Sequence, residues 1–270
     1  MIRLAVRVAR EHAELALAEL IVLAPAGVEE VDVSPEVVEY AVYGAEGELP
    51  DLGEVRAAAG DALVEVRTSV VGDDWSERWR EFHQPLVVGD PPALRLRAPW
   101  HEASDLPEVV IDPGQAFGTG MHPTTRLCVE LLLAEPAPLR TGALVDLGCG
   151  SGVLGIAAAK LGYGPVEGYD HEAESVAATI ENAAANGVAM GAHRWDLRHD
   201  PVPAAPTVTA NLLRPLLLLL AQRMTAVPDT LIASGLLEHE ADEIAVAFSG
   251  MAEADRRVLD GWSAVLLRRA

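Results

Sequence analysis

The densest chemistry in this sequence lies at Asp146-Leu147-Gly148-Cys149-Gly150-Ser151-Gly152, a D-x-G-x-G-x-G pattern. An apolar run leads into it and a helical pattern leaves it. Glycines let the backbone take dihedrals closed to other residues and let a ligand reach the main chain. Asp170 stands twenty-two residues after Gly148, at the end of the next strand pattern. An acidic side chain there accepts hydrogen bonds from ribose hydroxyls, so an adenosine-containing cofactor is expected. The dinucleotide fingerprint G-x-G-x-x-G would place its third glycine at position 153, which holds Val153. The pattern therefore favours a cofactor without a pyrophosphate, S-adenosylmethionine, over NAD. Gly148, Gly150 and Asp170 are its candidate contacts.

Two further positions follow strand patterns. Asp196 comes just after the third strand, where a polar group reaches an adenine edge; beside Arg194 and Arg198 it also suits a plain turn carboxylate. Asn211 closes the fourth strand, within Thr209-Ala210-Asn211-Leu212-Leu213-Arg214-Pro215. There it can accept a hydrogen bond from a substrate amine, or simply cap the helix that Pro215 opens. A second dense segment runs from Asp112 to Thr125, with three glycines, Phe117, His122 and three threonines just before a helical pattern. Ordering the backbone costs about 1–2 kcal/mol per residue, so such a segment is more than a connector. It is expected to lie over the cofactor through Phe117, Gly118 and Thr119 and to shape the entrance to the transferred methyl group. His122 joins Asn211 as a catalytic candidate, although a hydrogen-bonded structural histidine is the commoner case.

The elements that position these residues are legible as periodicity. From residue 143 onward, strand patterns at 143–147, 166–170, 191–195, 207–212 and 230–234 alternate with helical patterns at 153–161, 172–186, 214–225 and 236–248. Such alternation implies a parallel sheet with helices on both faces. Runs at 254–259 and 262–268 flank Asp260-Gly261, a hairpin signal that turns the last strand antiparallel. The prediction is an α/β fold with a mostly parallel, seven-stranded, Rossmann-like sheet. Residues 2–8, 11–23, 28–33, 36–43, 52–59 and 63–70 read strand, helix, strand, strand, helix, strand, the order of a ferredoxin-like α+β domain. Trp75, Trp79 and Phe82 share one face of a predicted connecting helix. Pro91-Pro92 and Pro99 punctuate an irregular or β-rich stretch.

Composition bounds the partners. Lys plus Arg total 20 against 41 Asp plus Glu, a net charge of −21. So acidic a surface repels phosphate backbones and argues against direct nucleic-acid binding; it suits a basic protein partner or, more plainly, solubility. Residues 1–8 alternate instead of forming a secretory leader, and the most apolar stretch, 216–221, is too short to span a bilayer. Cys128 and Cys149 form neither a disulfide framework nor a metal site. A cytoplasmic location without membrane attachment or metal is expected.

The 112–125 loop, the 148–152 turn and Ala210-Asn211-Leu212 together resemble the bacterial ribosomal protein L11 methyltransferase family, as do the 75–82 linker and Ser234-Gly235-Leu236-Leu237. The resemblance is strong from about residue 75 and weaker before it. It implies a class I S-adenosylmethionine-dependent methyltransferase acting on lysine ε-amines and an N-terminal α-amine of a large-subunit ribosomal protein. It also implies a substrate-recognition domain at 1–71, a connecting segment at 72–90 and a catalytic domain at 91–270, with cofactor contacts at Thr125, Gly148, Asp170 and Asn211. Met121 departs from the family's usual Thr, and Asp170-His171-Glu172 from its usual Asp-x-Asp. Other readings are a lysine methyltransferase of the same lineage with a different protein substrate, a small-molecule N-methyltransferase, an NAD-linked oxidoreductase and a non-enzymatic binding module.

Overall fold

In the computed structural model the alternating apolar residues of the N-terminal strands define the first core. The structure describes residues 2–13, 16–17, 20, 28–44, 49–70, 84–91, 93–112 and 120–270, and the chain divides into two compact units, Met1–Phe82 and His83–Ala270. In the first unit, β1 (Ile2–Ala9), β2 (Glu29–Ser34), β3 (Val37–Gly44) and β4 (Leu63–Val70) form one antiparallel sheet in the order β2-β3-β1-β4. This is the ferredoxin-like order expected. Leu4, Val6 and Val8 point to one face and pack with Val38, Tyr40 and the helical residues Ala13, Ala16 and Leu20. The opposite face carries charge: Glu39 accepts from Arg3 at 2.6 Å and from Arg7 at 2.7 Å. The connecting helix expected around Trp75, Trp79 and Phe82 lies outside the described residues.

The second unit begins with a small sheet. Its strand β5 (Leu86–Val88) pairs antiparallel with β6 (Leu94–Arg97), and β6 pairs parallel with β7 (Glu108–Val110). Arg95 and Arg97 hold the Glu108 carboxylate at 2.6 and 2.7 Å, with the Ser104 N–H donating at 2.9 Å. Burial alone would push this carboxyl up; the two guanidiniums overrule it and hold its pKa at about 2.

The main sheet has seven strands: β8 (Leu144–Leu147), β9 (Val166–Asp170), β10 (Met190–Arg194), β11 (Thr207–Asn211), β12 (Thr230–Leu237), β13 (Met251–Leu259) and β14 (Trp262–Arg269). Their order is β10-β9-β8-β11-β12-β14-β13, and only β14 runs opposite to the other six. This is the class I methyltransferase arrangement. Leu144 and Val145, adjacent in β8, enter different cores, one under the helices Pro123–Ala134 and Val153–Leu161, the other under Arg214–Arg223 and Ala241–Ala247. The β13–β14 hairpin turns on Asp260 and Gly261 at φ 50° and 79°, the paired left-handed conformation of a tight hairpin.

Among the described residues the largest boundary difference from the sequence reading lies at one helix. The helix expected over 236–248 begins only at Ala241, because β12 continues to Leu237. A bulge at Gly235, φ 86°, shifts register so that Leu236 and Leu237 still pair with Ser263 and Trp262. Among the described residues no helix is long and apolar enough to cross a membrane.

Candidate functional site

Strand register brings the predicted residues together. Leu147 pairs with Tyr169 on one side and Ala210 on the other. The next residue, Gly148, therefore emerges between Asp170 and Asn211 at the carboxyl edge of the sheet, where open α/β sheets bind ligands. Gly148 has φ 73°, and a Cβ there would lie 2.4 Å from Leu212 Cδ2. The Asp170 carboxylate is built into the turn: Oδ2 accepts the Gly150 N–H at 2.9 Å and Oδ1 the Glu172 N–H at 3.1 Å. A carboxylate accepts about four hydrogen bonds, so capacity remains for two ribose hydroxyls.

Asp146, quoted in the sequence only as the start of the glycine pattern, proves to be a buried brace. Its Oδ1 accepts from the Thr209 hydroxyl at 2.7 Å and its Oδ2 from the Gly155 N–H at 3.2 Å, tying β8 to β11 and to the first turn of the following helix. Burial pushes its pKa up to about 6; those two hydrogen bonds pull against the shift and the Asp170 charge adds to it.

On the other side of Gly148, three side chains are linked. Asn211 Nδ2 donates to Thr124 Oγ1 at 3.2 Å, and Thr124 Oγ1 lies 2.8 Å from His122 Nδ1. His122 Nδ1 also accepts the Thr124 N–H at 3.3 Å, so the ring caps the helix Pro123–Ala134. Burial lowers the His122 pKa and favours the neutral ring that such acceptance requires. Trp262 stands edge-on to it, with ring centroids 4.8 Å apart. Trp262 escaped the sequence reading, which saw only the first residue of the last strand. Thr125, fully buried one position further on, has a hydroxyl with no hydrogen-bond partner among the described residues. Asp196 follows Trp195, whose N–H bonds Asp170 O at 2.7 Å. Its Oδ1 accepts the Arg198 N–H at 2.8 Å, which lowers its pKa, and His199 lies 3.8 Å away. Phe117, Gly118 and Thr119 lie outside the described residues.

The sequence pattern of the family described as "Ribosomal protein L11 methyltransferase (PrmA)" matches residues 5–270. The chain belongs to this family. The ribosomal protein L11 methyltransferase of Pseudomonas putida (strain W619) is 37% identical to it over 223 residues, covering 80% of this chain and 75% of that protein. That of Pseudomonas fluorescens is 35% identical over 227 residues, covering 81% and 76%. The solved structure of a ribosomal protein L11 methylase from Lactobacillus delbrueckii subsp. bulgaricus superposes with a TM-score of 0.58 at 27% identity, over 68% of this chain and 98% of that one.

This L11 methyltransferase family member is an S-adenosylmethionine-dependent methyltransferase, which removes the NAD-linked and the non-enzymatic readings. Its residues fit the cofactor. Gly148 stays only half-buried at the carboxyl edge of the sheet, Asp170 keeps acceptor capacity, and the orphaned Thr125 hydroxyl is a polar atom that a ligand would satisfy.

Proposed function

We propose that this enzyme methylates ribosomal protein L11, at lysine ε-amines or the N-terminal α-amine. The observation that carries the reading is the extent of the family match. It starts at residue 5 and so takes in the N-terminal unit, which contains none of the cofactor motifs. In this reading, residues 1–71 recognise the protein substrate, 72–90 connect, and 91–270 catalyse, in the cytoplasm. A net charge of −21 favours encounter with a basic ribosomal protein.

When bound, S-adenosylmethionine supplies a methyl group on a cationic sulfur. The chain supplies position. Asp170, Gly148 and Gly150 are proposed to hold the adenosine, with Asp196 at the adenine edge and Thr125 and the Phe117–Gly118–Thr119 stretch against the rest. A lysine amine, with a free pKa of about 10.4, must be neutral to attack. Withdrawal from water beside a positive sulfur lowers that pKa. The Asn211 amide nitrogen is committed to Thr124, which leaves Oδ1 to accept an N–H of the incoming amine and aim its lone pair. His122 holds Thr124 and, through it, Asn211; a neutral ring that accepts at Nδ1 carries its proton on Nε2, so in this reading it acts by positioning. Positioning is then the main catalytic contribution. Incubation of each purified ribosomal protein with labelled S-adenosylmethionine tests this: label is expected in L11 and on amine nitrogen, and label confined to another protein would redirect the assignment.

A further inference from the structure

The helix Ala173–Ala185 carries buried polar side chains on the face toward the glycine turn. Thr179 and Asn182 lie three positions apart, and Asn186 follows at the helix end, so all three share that face. The Thr179 hydroxyl donates to Gly150 O at 2.9 Å. Asn182 Nδ2 donates to Ser151 O at 2.9 Å, and its Oδ1 accepts the Asp112 N–H at 3.1 Å. Asn186 pairs with both backbone groups of Val110, accepting its N–H at 2.8 Å and donating to its carbonyl at 2.6 Å. Asn182 therefore bridges two separate pieces of backbone: the turn that faces the cofactor, and the residue at which the chain leaves β7 for the 112–125 segment.

We infer that Asn182 is a positioning residue for methyl transfer, which holds the Ser151 carbonyl and the Asp112 N–H at one fixed spacing. Its amide is suited to the task because one end donates and the other accepts, and it is 5% exposed, so no water replaces it cheaply. Ser151 is fully buried, and its carbonyl takes the Asn182 amide N–H inside the turn. Asn186 supports the same segment without touching the turn, which makes it the natural control. The inference rests on the cofactor site and not on the identity of the protein substrate.

The test compares three variants by thermal melting, calorimetric binding of S-adenosylmethionine, and kcat and KM on a methylated protein substrate. Asn182→Leu, of similar volume but without hydrogen bonds, is expected to lose at least about tenfold in kcat and several-fold in cofactor affinity, since small misplacements are costly in such reactions. Asn186→Leu is expected to lower the melting temperature comparably while kcat stays within about twofold of the parent. Asn182→Asp keeps the acceptor for Asp112 but sets a carboxylate against Ser151 O; once protonated, it donates there as the amide did. The ratio of its kcat to the parent's should therefore rise as pH falls, and this arm decides the matter if Asn182→Leu does not fold. A purely structural Asn182 would show parental kcat and cofactor affinity in Asn182→Leu, or a pH-independent ratio in Asn182→Asp, and either result overturns the inference.

Discussion

Two side chains of the proposed cofactor site make opposite demands on the folded protein. Asp170 is satisfied by two backbone N–H groups and keeps spare lone pairs, so it is ready without strain. Replacing it with alanine should weaken S-adenosylmethionine binding by about ten- to a hundredfold, the worth of hydrogen bonds to a charged acceptor, as read by calorimetry; parental affinity would remove Asp170 from the site. Thr125 buries a hydroxyl with no partner among the described residues, a cost of about 1–3 kcal/mol. Thr125→Val should therefore melt at the parental temperature or above without ligand, yet bind cofactor more weakly. A lower melting temperature with unchanged affinity would mean that the hydroxyl is satisfied within the fold. That Gly148, Asp170 and Asn211 meet at one edge of the sheet was legible from spacing, because each lies at or beside the end of a strand pattern. Asp146 was visible as a letter of the motif but not as a brace, since its partners Thr209 and Gly155 lie on other elements. Asn182 was invisible, because a polar residue on an amphipathic helix reads as solvent-facing until its partners at Asp112 and Ser151 are known.

At the scale of elements, the pairing of β11 with β12 depends on a close backbone approach. A Cβ on Gly235 would fall 2.3 Å from the carbonyl oxygen of Leu212, the residue after Asn211, and φ there is 86°. Gly235→Ala combines left-handed strain with that collision and should cost about 2–4 kcal/mol in urea unfolding, with turnover lost as Asn211 shifts. Unchanged stability and turnover would contradict the register described. The small sheet ahead of the loop is braced by Glu108 between Arg95 and Arg97. A carboxyl whose folded pKa is depressed to about 2 stabilises fully above its usual range near 4.5 and loses that contribution as pH falls through 2. The melting-temperature gap between the parent and Glu108→Gln should hold from neutral pH to about pH 5 and close toward pH 2; a gap that widens on acidification would refute the assignment. The alternation of strands and helices from residue 143 onward exposed the main sheet in the sequence. The extension of β12 past Ser234 did not show, because Leu236 and Leu237 fit a helical pattern equally well and only pairing with β14 decides between them. The three short strands β5 to β7 were likewise too brief, among prolines, to separate from irregular chain.

Over the whole molecule, the first unit has a core of its own and carries none of the cofactor motifs, which supports the proposed division of labour. A chain beginning near Gly72 should stay folded, bind S-adenosylmethionine with near-parental affinity and lose most methylation of a protein substrate. Parental methylation by the truncated enzyme would deny the first unit its proposed role. The ferredoxin-like order of that unit was readable from strand alternation, while its role was not, because a recognition surface has no spacing rule. The same acidity that discourages nucleic acid should make methylation of a basic partner fall with added salt. The central claim is amine methylation of L11. Its most direct measurement is transfer of labelled methyl groups from S-adenosylmethionine to purified large-subunit ribosomal proteins, with the acceptor site mapped by mass spectrometry. The account predicts label on lysine ε-nitrogen or the N-terminal nitrogen of L11, dependent on Asp170 and Asn211; turnover that leaves L11 unlabelled while modifying another protein or a small amine would contradict it.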